Sequence, residues 1–272
     1  MAQRETCPER ETLKQPKRQT QNEKRSFLLR DEFRKSGEWL FRRRSYLPLL
    51  LIVLFPAAFA DYRYPFDSSF GARVWELCCL GVSLVGEGVR VLTVGFAPAG
   101  TSGRNTLGQV AEVLNTTGAY SLVRHPLYLG NFLIWLGITL VPRVWWFSLL
   151  VTLIWWLYYE RIMFAEEEFL QEKFGDAFRD WAGRTPALIP KLSNWRKPAL
   201  PFSLKSVIRR EYSTCFAIIA VYTALAGIGE IVVYGRPGIH RMWLVIFSIS
   251  LVLYLAVRII KKNTAWLHAA GR

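Results

Sequence analysis

The segment VWWFSLLVTLIWWLYY, residues 144–159, has apolar or aromatic side chains at every position except one serine and one threonine. A helix of this composition has no face suited to water, so it must be surrounded by lipid or protein. Six apolar blocks lie along the chain, at residues 46–60, 74–94, 127–141, 144–159, 212–234 and 242–260. The last two approach the ~20 residues that cross a bilayer. The pattern therefore predicts an all-α fold, a polytopic membrane helical bundle of six apolar helices.

The distribution of positive charge predicts how these helices are oriented. If six helices alternate in direction, the long connections at residues 96–125 and 161–211 fall on the same side as both termini. The two termini and the 161–211 segment carry most of the lysine and arginine of a chain whose formal net charge is +14. Because positive residues are retained in the cytoplasm, both termini are predicted to be cytoplasmic, at a bacterial inner membrane or the endoplasmic reticulum.

The N-terminal tail, residues 1–45, is polar and basic up to about Lys35, which is a composition typical of disorder. The segment FRRRSY, residues 41–46, then adjoins the first apolar block. A basic tail is compatible with nucleic-acid binding, but its place at a membrane edge favours a topology signal. We therefore expect no nucleic-acid partner. The four cysteines show no metal-ligand spacing, and no metal site is predicted.

The segment VRHPLYLG places charge directly before the third apolar block. Proline suits the first turn of a helix, so Pro126 predicts a helix start. The free N–H groups and partial positive charge of a helix start attract anions, and Arg124 and His125 add donors there. Tyr120 and Tyr128 offer aromatic faces that can hold a cation. A ligand with both a carboxylate and a cationic centre would suit this corner, although Arg124 and His125 are equally compatible with simple membrane-edge anchoring.

The next apolar helix ends in a run of three glutamates, residues 166–168. Only the short sequence PR, residues 142–143, separates the two apolar helices, so they are expected to be antiparallel neighbours. Their outer ends then lie close together. The glutamates are therefore predicted to face the anion site across a small gap, although an acidic run is also compatible with a merely solvated face.

These two motifs together resemble the isoprenylcysteine carboxyl methyltransferase and phospholipid methyltransferase families of integral-membrane enzymes. Those families show G-x-Y, R-H-P-x-Y-x-G, a helical hairpin and then E-E-x-x-L-x-x-x-F-G. This chain has GAYSLVRHPLYLG and, from Glu166, EEEFLQEKFG. The resemblance covers about residues 90–190. It implies a cytosolic pocket for the cofactor S-adenosylmethionine.

The resemblance also implies roles for particular residues. The cofactor-binding set is Leu114, Asn115, Tyr120, His125, Pro126, Leu127, Tyr128 and Glu166. Arg161 and Glu167 are the implied catalytic pair, with Arg161 as a clamp that positions an anionic acceptor. A membrane-edge anchor is the alternative role for Arg161, because the register of the family's substrate arginine differs here by one residue.

Four further residues are predicted to bind the substrate. Glu87 and Arg90 share one face of the second apolar helix, where ionisable groups are costly and often functional, although a structural ion pair is the alternative. Arg104 lies in the loop FAPAGTSGRNT, whose amides and guanidinium are suited to a phosphate or carboxylate. That loop is also compatible with a flexible connection. Arg124 completes the set.

The chain is predicted to divide into four parts: a basic tail at 1–45, two transmembrane helices at 46–95, a methyltransferase core at 96–192, and a linker with an additional transmembrane hairpin at 193–272. The predicted function is S-adenosylmethionine-dependent methyl transfer to a membrane lipid or lipidated substrate within the bilayer. The oligomeric state and the identity of the acceptor stay open.

O-methylation of a carboxylate or phosphate is favoured, because such an acceptor is already an anion and needs no base. N-methylation of an aminophospholipid such as phosphatidylethanolamine is the alternative, and it requires a base. An NADPH-dependent sterol-type reductase carries a similar RHP-x-Y-x-G corner, but a 2′-phosphate calls for more arginines. A non-catalytic membrane scaffold is the remaining alternative.

Overall fold

The computed structural model describes residues 29–44, 46–60, 62–63, 68–98 and 111–269. All regular structure within these ranges is helical. The helices are α1 (Leu29–Arg43), a 3-10 helix (Leu47–Leu54), α2 (Phe55–Phe59), α3 (Ser69–Phe96), α4 (Ala119–Leu122), α5 (Pro126–Leu140), α6 (Trp145–Phe174), α7 (Asp176–Ala182), a second 3-10 helix (Leu192–Asn194), α8 (Leu204–Tyr234) and α9 (Arg241–Asn263).

The six predicted apolar blocks all coincide with helices, so the all-α prediction is confirmed. Helices α3, α6, α8 and α9 are long and apolar enough to cross a membrane. The helical segment Leu47–Phe59 and helix α5 are apolar but shorter. The outward-facing apolar residues of the long helices are widely exposed in the isolated chain. A membrane-embedded bundle accounts for this exposure, because lipid covers such surfaces.

Helices α3 and α5 pack closely because small residues meet at their crossing. A Cβ atom added to Gly130 would lie 2.8 Å from the carbonyl oxygen of Gly86. At Gly137 an added Cβ would collide with Ser83, whose hydroxyl donates a 2.9 Å hydrogen bond to the Ile134 carbonyl. Small residues let membrane helices approach to backbone contact. This contact brings the polar side chains of α3 next to the start of α5.

The C-terminal hairpin, α8 and α9, is packed on the rest of the bundle. The Trp243 indole donates a 2.6 Å hydrogen bond to Glu76 of α3. The Tyr222 and Ser83 hydroxyls share a 2.9 Å hydrogen bond. Trp243 and Tyr222 are both fully buried beside Phe147 of α6 in one apolar core. The hairpin therefore belongs to the same bundle as α3, α5 and α6.

Residues 29–43 of the N-terminal tail form helix α1, and the prediction of disorder for residues 1–28 lies outside the described residues. This helix packs along the C-terminal half of α6. Phe41 of α1 is buried, and the Phe33 ring meets Phe164 edge to face at 5.9 Å. Arg30 and Glu168 form a salt bridge at 2.9 Å. The amino-acid composition of this segment is polar overall, but its aromatic side chains make the tertiary contacts that order the helix.

The segment between α7 and α8, residues 183–203, crosses the end of the bundle; we call it the strap. Its backbone pairs with the segment before α5 through four hydrogen bonds. These run from Arg124 N to Pro186 O, from His125 N to Ala187 O, from Lys191 N to Leu122 O and from Gly118 N to Arg196 O. The Lys261 ammonium donates to the Arg209 carbonyl, which places the end of α9 beside the start of α8. The basic segments thus share one end of the bundle, and the predicted cytoplasmic placement of that end stays a prediction.

Candidate active site

Tyr128 and Glu166 meet at the open end of the α5–α6 hairpin. The Tyr128 hydroxyl donates a 2.9 Å hydrogen bond to Glu166 Oε2. The helices are antiparallel because the connection at 141–144 reverses the chain, with Arg143 in the left-handed region at φ 61°. Tyr128 is buried, whereas the Glu166 side chain is 33% exposed. The structure therefore brings the two sequence motifs together and leaves a carboxylate facing open space.

His125 links the same two helix ends. Its Nε2 atom lies 2.8 Å from Glu167 Oε1, and its Nδ1 atom lies 3.7 Å from Glu166 Oε2. An ionised carboxylate only accepts hydrogen bonds, so Nε2–H is the donor to Glu167. The imidazole is buried and stacks on the Tyr128 ring, with centroids 5.5 Å apart. Both ring nitrogens thus face glutamates.

Arg124 connects the strap to Glu167 at the end of α6. Its Nε donates to Glu167 at 2.8 Å, and its Nη1 donates to the carbonyls of Ala182 and Thr185, both at 2.9 Å. The hydrogen bonds from Arg124 and His125 therefore stabilise the ionised form of Glu167. These contacts give Arg124 a positioning role, and its predicted role in substrate binding stays a prediction.

An aromatic wall continues from Tyr128 along α6. The Tyr128 and Tyr159 rings are 5.0 Å apart, and Tyr159 stacks on Trp155 at 4.6 Å. The Tyr159 hydroxyl also interacts with the Asn131 side chain of α5. Sequence analysis missed Tyr159 and Asn131. Tyr159 lies seven residues before Glu166, which is two helical turns and hence the same face, so the helical period contains the signal that identifies it.

Tyr120 reaches the corner from α4, where the Trp181 indole donates to its backbone carbonyl at 3.1 Å. Burial, together with the negative charge of Glu166, raises the pKa of the Tyr120 hydroxyl above its ordinary value, whereas the Arg210 cation acts in the opposite direction. Tyr120 is therefore neutral at physiological pH and lies within electrostatic reach of both Glu166 and Arg210. Arg210 is a further residue that sequence analysis missed.

The remaining predicted cofactor residues flank this corner. Pro126 is buried as the first residue of α5, and Leu127 is half-buried beside it. Asn115 accepts hydrogen bonds from the backbone and hydroxyl of Thr117, which forms a local turn. Leu114 is half-buried before that turn. The contacts of Leu114 and Asn115 are local, so their predicted part in cofactor binding stays a prediction.

Arg161 lies on a different face of α6 from Glu166. Its guanidinium donates to the Ser36 hydroxyl at 3.0 Å and lies 4.6 Å from the centre of the Phe33 ring, both on α1. Five residues along a helix turn through about 140° beyond one full turn, so Arg161 and Glu166 point apart. The structure does not bring Arg161 to the Tyr128–Glu166 corner, and its contacts favour the alternative role of an anchor.

Glu87 and Arg90 form part of a polar cluster inside the bundle. Arg90 lies 2.6 Å from Glu211 of α8 and 3.5 Å from Glu87, and it donates to the Asn131 side chain of α5. The Cys215 thiol donates to Glu87 at 3.2 Å. The predicted Glu87–Arg90 pair is therefore present, with Glu211 as a stronger partner that sequence analysis missed. The fourth predicted substrate residue, Arg104, lies outside the described residues.

Comparison with known proteins supports the resemblance. Residues 76–177 match the phospholipid methyltransferase family model. The cobalt-zinc-cadmium resistance protein CzcN of Cupriavidus metallidurans is 36% identical over 132 residues, which is 47% of this chain and 58% of that protein. The nickel-cobalt-cadmium resistance protein NccN of Alcaligenes xylosoxydans xylosoxydans is 36% identical over 89 residues, 33% of this chain and 41% of its own length.

Protein-S-isoprenylcysteine O-methyltransferase of Schizosaccharomyces pombe is 26% identical over 147 residues, which is 54% of this chain and 59% of the yeast protein. The chain thus spans between 41% and 59% of the length of these three relatives. No solved structure matches the chain. The matched region at 76–177 contains most of α3 and all of α4, α5 and α6, and so contains both Tyr128 and Glu166.

Proposed function

We propose that the chain, whose residues 76–177 match the phospholipid methyltransferase family model, is an integral-membrane methyltransferase that uses S-adenosylmethionine to methylate a membrane lipid or a lipid-linked acceptor. The observation that carries this proposal is the 2.9 Å hydrogen bond between Tyr128 and Glu166. It joins the two family motifs, which are 38 residues apart in the chain, into a single corner of mixed polarity.

The residues of this corner fit S-adenosylmethionine by their chemistry. The half-exposed Glu166 carboxylate and the ring of Tyr128 suit the ammonium and sulfonium groups of the molecule. The N–H groups in the first turn of α5, which begins at Pro126, suit its carboxylate. We assign the binding role to these residues with Leu114, Asn115, Tyr120, His125 and Leu127. When bound, S-adenosylmethionine supplies an electrophilic methyl group.

The contacts of His125 and Glu167 favour an acceptor that is already an anion. Glu167 receives donors from His125 and Arg124, which makes it a weak base. His125 has its Nε2–H committed to Glu167 and its Nδ1 facing Glu166. Transfer to an ammonium requires a base, whereas transfer to a carboxylate or phosphate does not. Nδ1 of His125 is the remaining basic atom, and it faces Glu166, so O-methylation, which needs no base, is the reaction we favour, with Glu167 orienting His125.

An anionic acceptor needs a positive group to position it, and Arg161 is turned toward α1. Arg210 of α8 lies within electrostatic reach of Tyr120, and Arg44 lies within electrostatic reach of Tyr128. We assign the positioning of the acceptor to Arg210 first, because it lies near the start of α8 and its charge acts on Tyr120. Positioning in a site closed to water is the main contribution that an enzyme makes to an in-line displacement.

Methyl transfer can be tested with purified protein, methyl-labelled S-adenosylmethionine and a total membrane extract. The wild type should label a lipid or lipid-linked fraction. Glu166→Gln should abolish labelling, whereas Glu168→Gln should retain it, because Glu168 pairs with Arg30 on the other face of α6. No label in any fraction, or equal labelling by both variants, would contradict the proposal.

The stability of the label distinguishes the two acceptor classes. Mild alkali releases carboxyl methyl esters as methanol but leaves N-methyl groups in place. Release of the label supports O-methylation of a carboxylate. A label that is stable to alkali and found in an aminophospholipid would show that the reaction is N-methylation instead. Calorimetry with S-adenosylhomocysteine and with NADPH distinguishes a methyltransferase from the reductase alternative. A methyltransferase should bind S-adenosylhomocysteine, whereas a reductase should bind NADPH.

A further inference from the structure

The strap and the start of α8 form a basic surface. Between residues 183 and 210 the sequence has seven lysines and arginines and no aspartate or glutamate. They are Arg184, Lys191, Arg196, Lys197, Lys205, Arg209 and Arg210. Such a surface attracts anions over about one Debye length, which is ~8 Å at physiological ionic strength.

Exposed apolar side chains alternate with these charges. Ile189 is 82% exposed, Leu192 is 76% exposed and Trp195 is 56% exposed. Basic residues combined with exposed aliphatic and tryptophan side chains are typical of segments that lie in a membrane interface. Exposing three large apolar side chains to water in so short a segment would be unfavourable.

The strap is held firmly in this position. The Lys191 N–H donates to the Leu122 carbonyl at 3.0 Å, and the Arg196 N–H donates to the Ser121 hydroxyl at 2.9 Å. Its C-terminal end runs directly into α8, which is long and apolar enough to span the membrane. The strap therefore stands at the boundary where a membrane helix begins, at the end of the bundle that collects the basic segments.

A cavity of about 220 Å³ opens in this surface. Arg184 and Arg196 line it, together with the hydroxyl side chains of Thr185 and Ser193; Ser121 also borders it, but its hydroxyl donates to the Gly118 carbonyl. Guanidinium groups and hydroxyls are the donors that bind phosphate oxygens. The cavity is distinct from the Tyr128–Glu166 corner, because Tyr120, His125, Tyr128 and Glu166 are not among the residues that line it.

We propose that the strap is a binding site for an anionic phospholipid, with the phosphate headgroup in the cavity between Arg184 and Arg196 and the acyl chains against Leu192 and Trp195. The site is separate from the methyl-transfer corner, so this inference does not depend on the proposed function. Charge complementarity selects an anionic lipid over a zwitterionic one. The lipid would hold the strap, and with it the segment before α5, against the bilayer.

Calorimetry on the full chain in a non-ionic detergent tests the site with three probes: short-chain phosphatidylglycerol, short-chain phosphatidylcholine and inorganic phosphate. The wild type should bind phosphatidylglycerol more tightly than either other probe. Each arginine near an anionic lipid contributes about fivefold in affinity, so Arg184→Gln combined with Arg196→Gln should weaken binding by an order of magnitude or more. Both residues are exposed, so thermal unfolding should be unchanged.

The matched control is Arg236→Gln combined with Arg241→Gln, which removes the same charge from exposed positions at the opposite end of α8 and α9. It should leave phosphatidylglycerol binding intact. Equal affinity for the two lipids, or equal loss in the control, would overturn the proposal. Inorganic phosphate binding as tightly as phosphatidylglycerol, with no effect of Leu192→Ser and Trp195→Ser, would overturn the lipid assignment.

Discussion

The guanidinium of Arg90 lies 2.6 Å from the carboxylate of Glu211, and both side chains are largely buried. Arg90 belongs to the matched family region at 76–177, whereas Glu211 belongs to the C-terminal hairpin outside it. Arg90 also donates to Asn131, whose side chain interacts with Tyr159 beside Tyr128. The hairpin is therefore tied to the candidate site through a continuous run of polar contacts.

Removing one partner of this pair should destabilise the protein strongly. Glu211→Ala leaves Arg90 with the Asn131 oxygen and one more distant carboxylate, Glu87 at 3.5 Å, and breaking a buried pair costs about 3–5 kcal/mol. Replacing the whole charged cluster, as Arg90→Met with Glu211→Leu and Glu87→Gln, should cost much less because no buried charge is left. Equilibrium unfolding in mixed micelles measures the free energy of unfolding for all three variants. Glu172→Ala is the control: its pair with Arg34 is exposed, so the expected loss is below about 1 kcal/mol.

Gly130→Ala should loosen the contact between α3 and α5. An added Cβ would lie 2.6 Å from Arg90 Cγ and 2.8 Å from the Gly86 carbonyl oxygen, and overpacking of this kind costs about 1–3 kcal/mol. Gly88→Ala is the matched control, because a Cβ there meets nothing within 4 Å. Equal unfolding free energies for the two variants would show that the crossing of α3 and α5 is not close-packed.

Tyr128→Phe removes a single hydroxyl from the candidate site. Because that hydroxyl donates to a carboxylate, a bond worth about 1.5–3 kcal/mol, the variant should bind S-adenosylhomocysteine about tenfold or more weakly by calorimetry. Tyr254→Phe serves as the control, since the Tyr254 hydroxyl accepts a hydrogen bond from Arg258 on α9. Unchanged affinity in Tyr128→Phe would argue against Glu166 as the group that holds the cofactor.

Arg124→Ala should release the strap without unfolding the bundle. The variant loses the donors to the carbonyls of Ala182 and Thr185, so hydrogen exchange should rise at residues 183–196. Exchange in α3 should stay slow, because its packing on α5 does not involve Arg124. Arg179→Ala, at an exposed position on α7, should leave exchange in the strap unchanged.

Much of the site was predictable from the sequence because the helical hairpin is local. The two-residue connection at 142–143 requires α5 and α6 to be antiparallel neighbours, so the start of one meets the end of the other. The proline at 126 marks the helix start, and the glutamates mark the helix end. The encounter of Tyr128 with Glu166 follows from these local features, as does the presence of Tyr159 two turns away.

Contacts between distant segments were not predictable in the same way. Arg161 faces α1 rather than the acceptor, because its position on α6 is set by helical phase and its partner Ser36 lies in a tail of disorder-like composition. Glu211 reaches Arg90 only because α8 packs on α3. The pairing of a buried charge depends on which helix lies beside it, and hydropathy does not specify that neighbour.

The sequence by itself therefore determined the helices, the membrane class and the meeting of the two motifs, because apolar length, helix-start chemistry and a short turn are local properties. Only the tertiary structure decided which charged side chains at the site are paired with an opposite charge and which are not. Glu167 is neutralised by Arg124 and His125, whereas Glu166 accepts from the Tyr128 hydroxyl and has no arginine beside it among the described ion pairs. That difference between adjacent glutamates arises from the helices and strap packed around them, and it separates an orienting residue from a binding one.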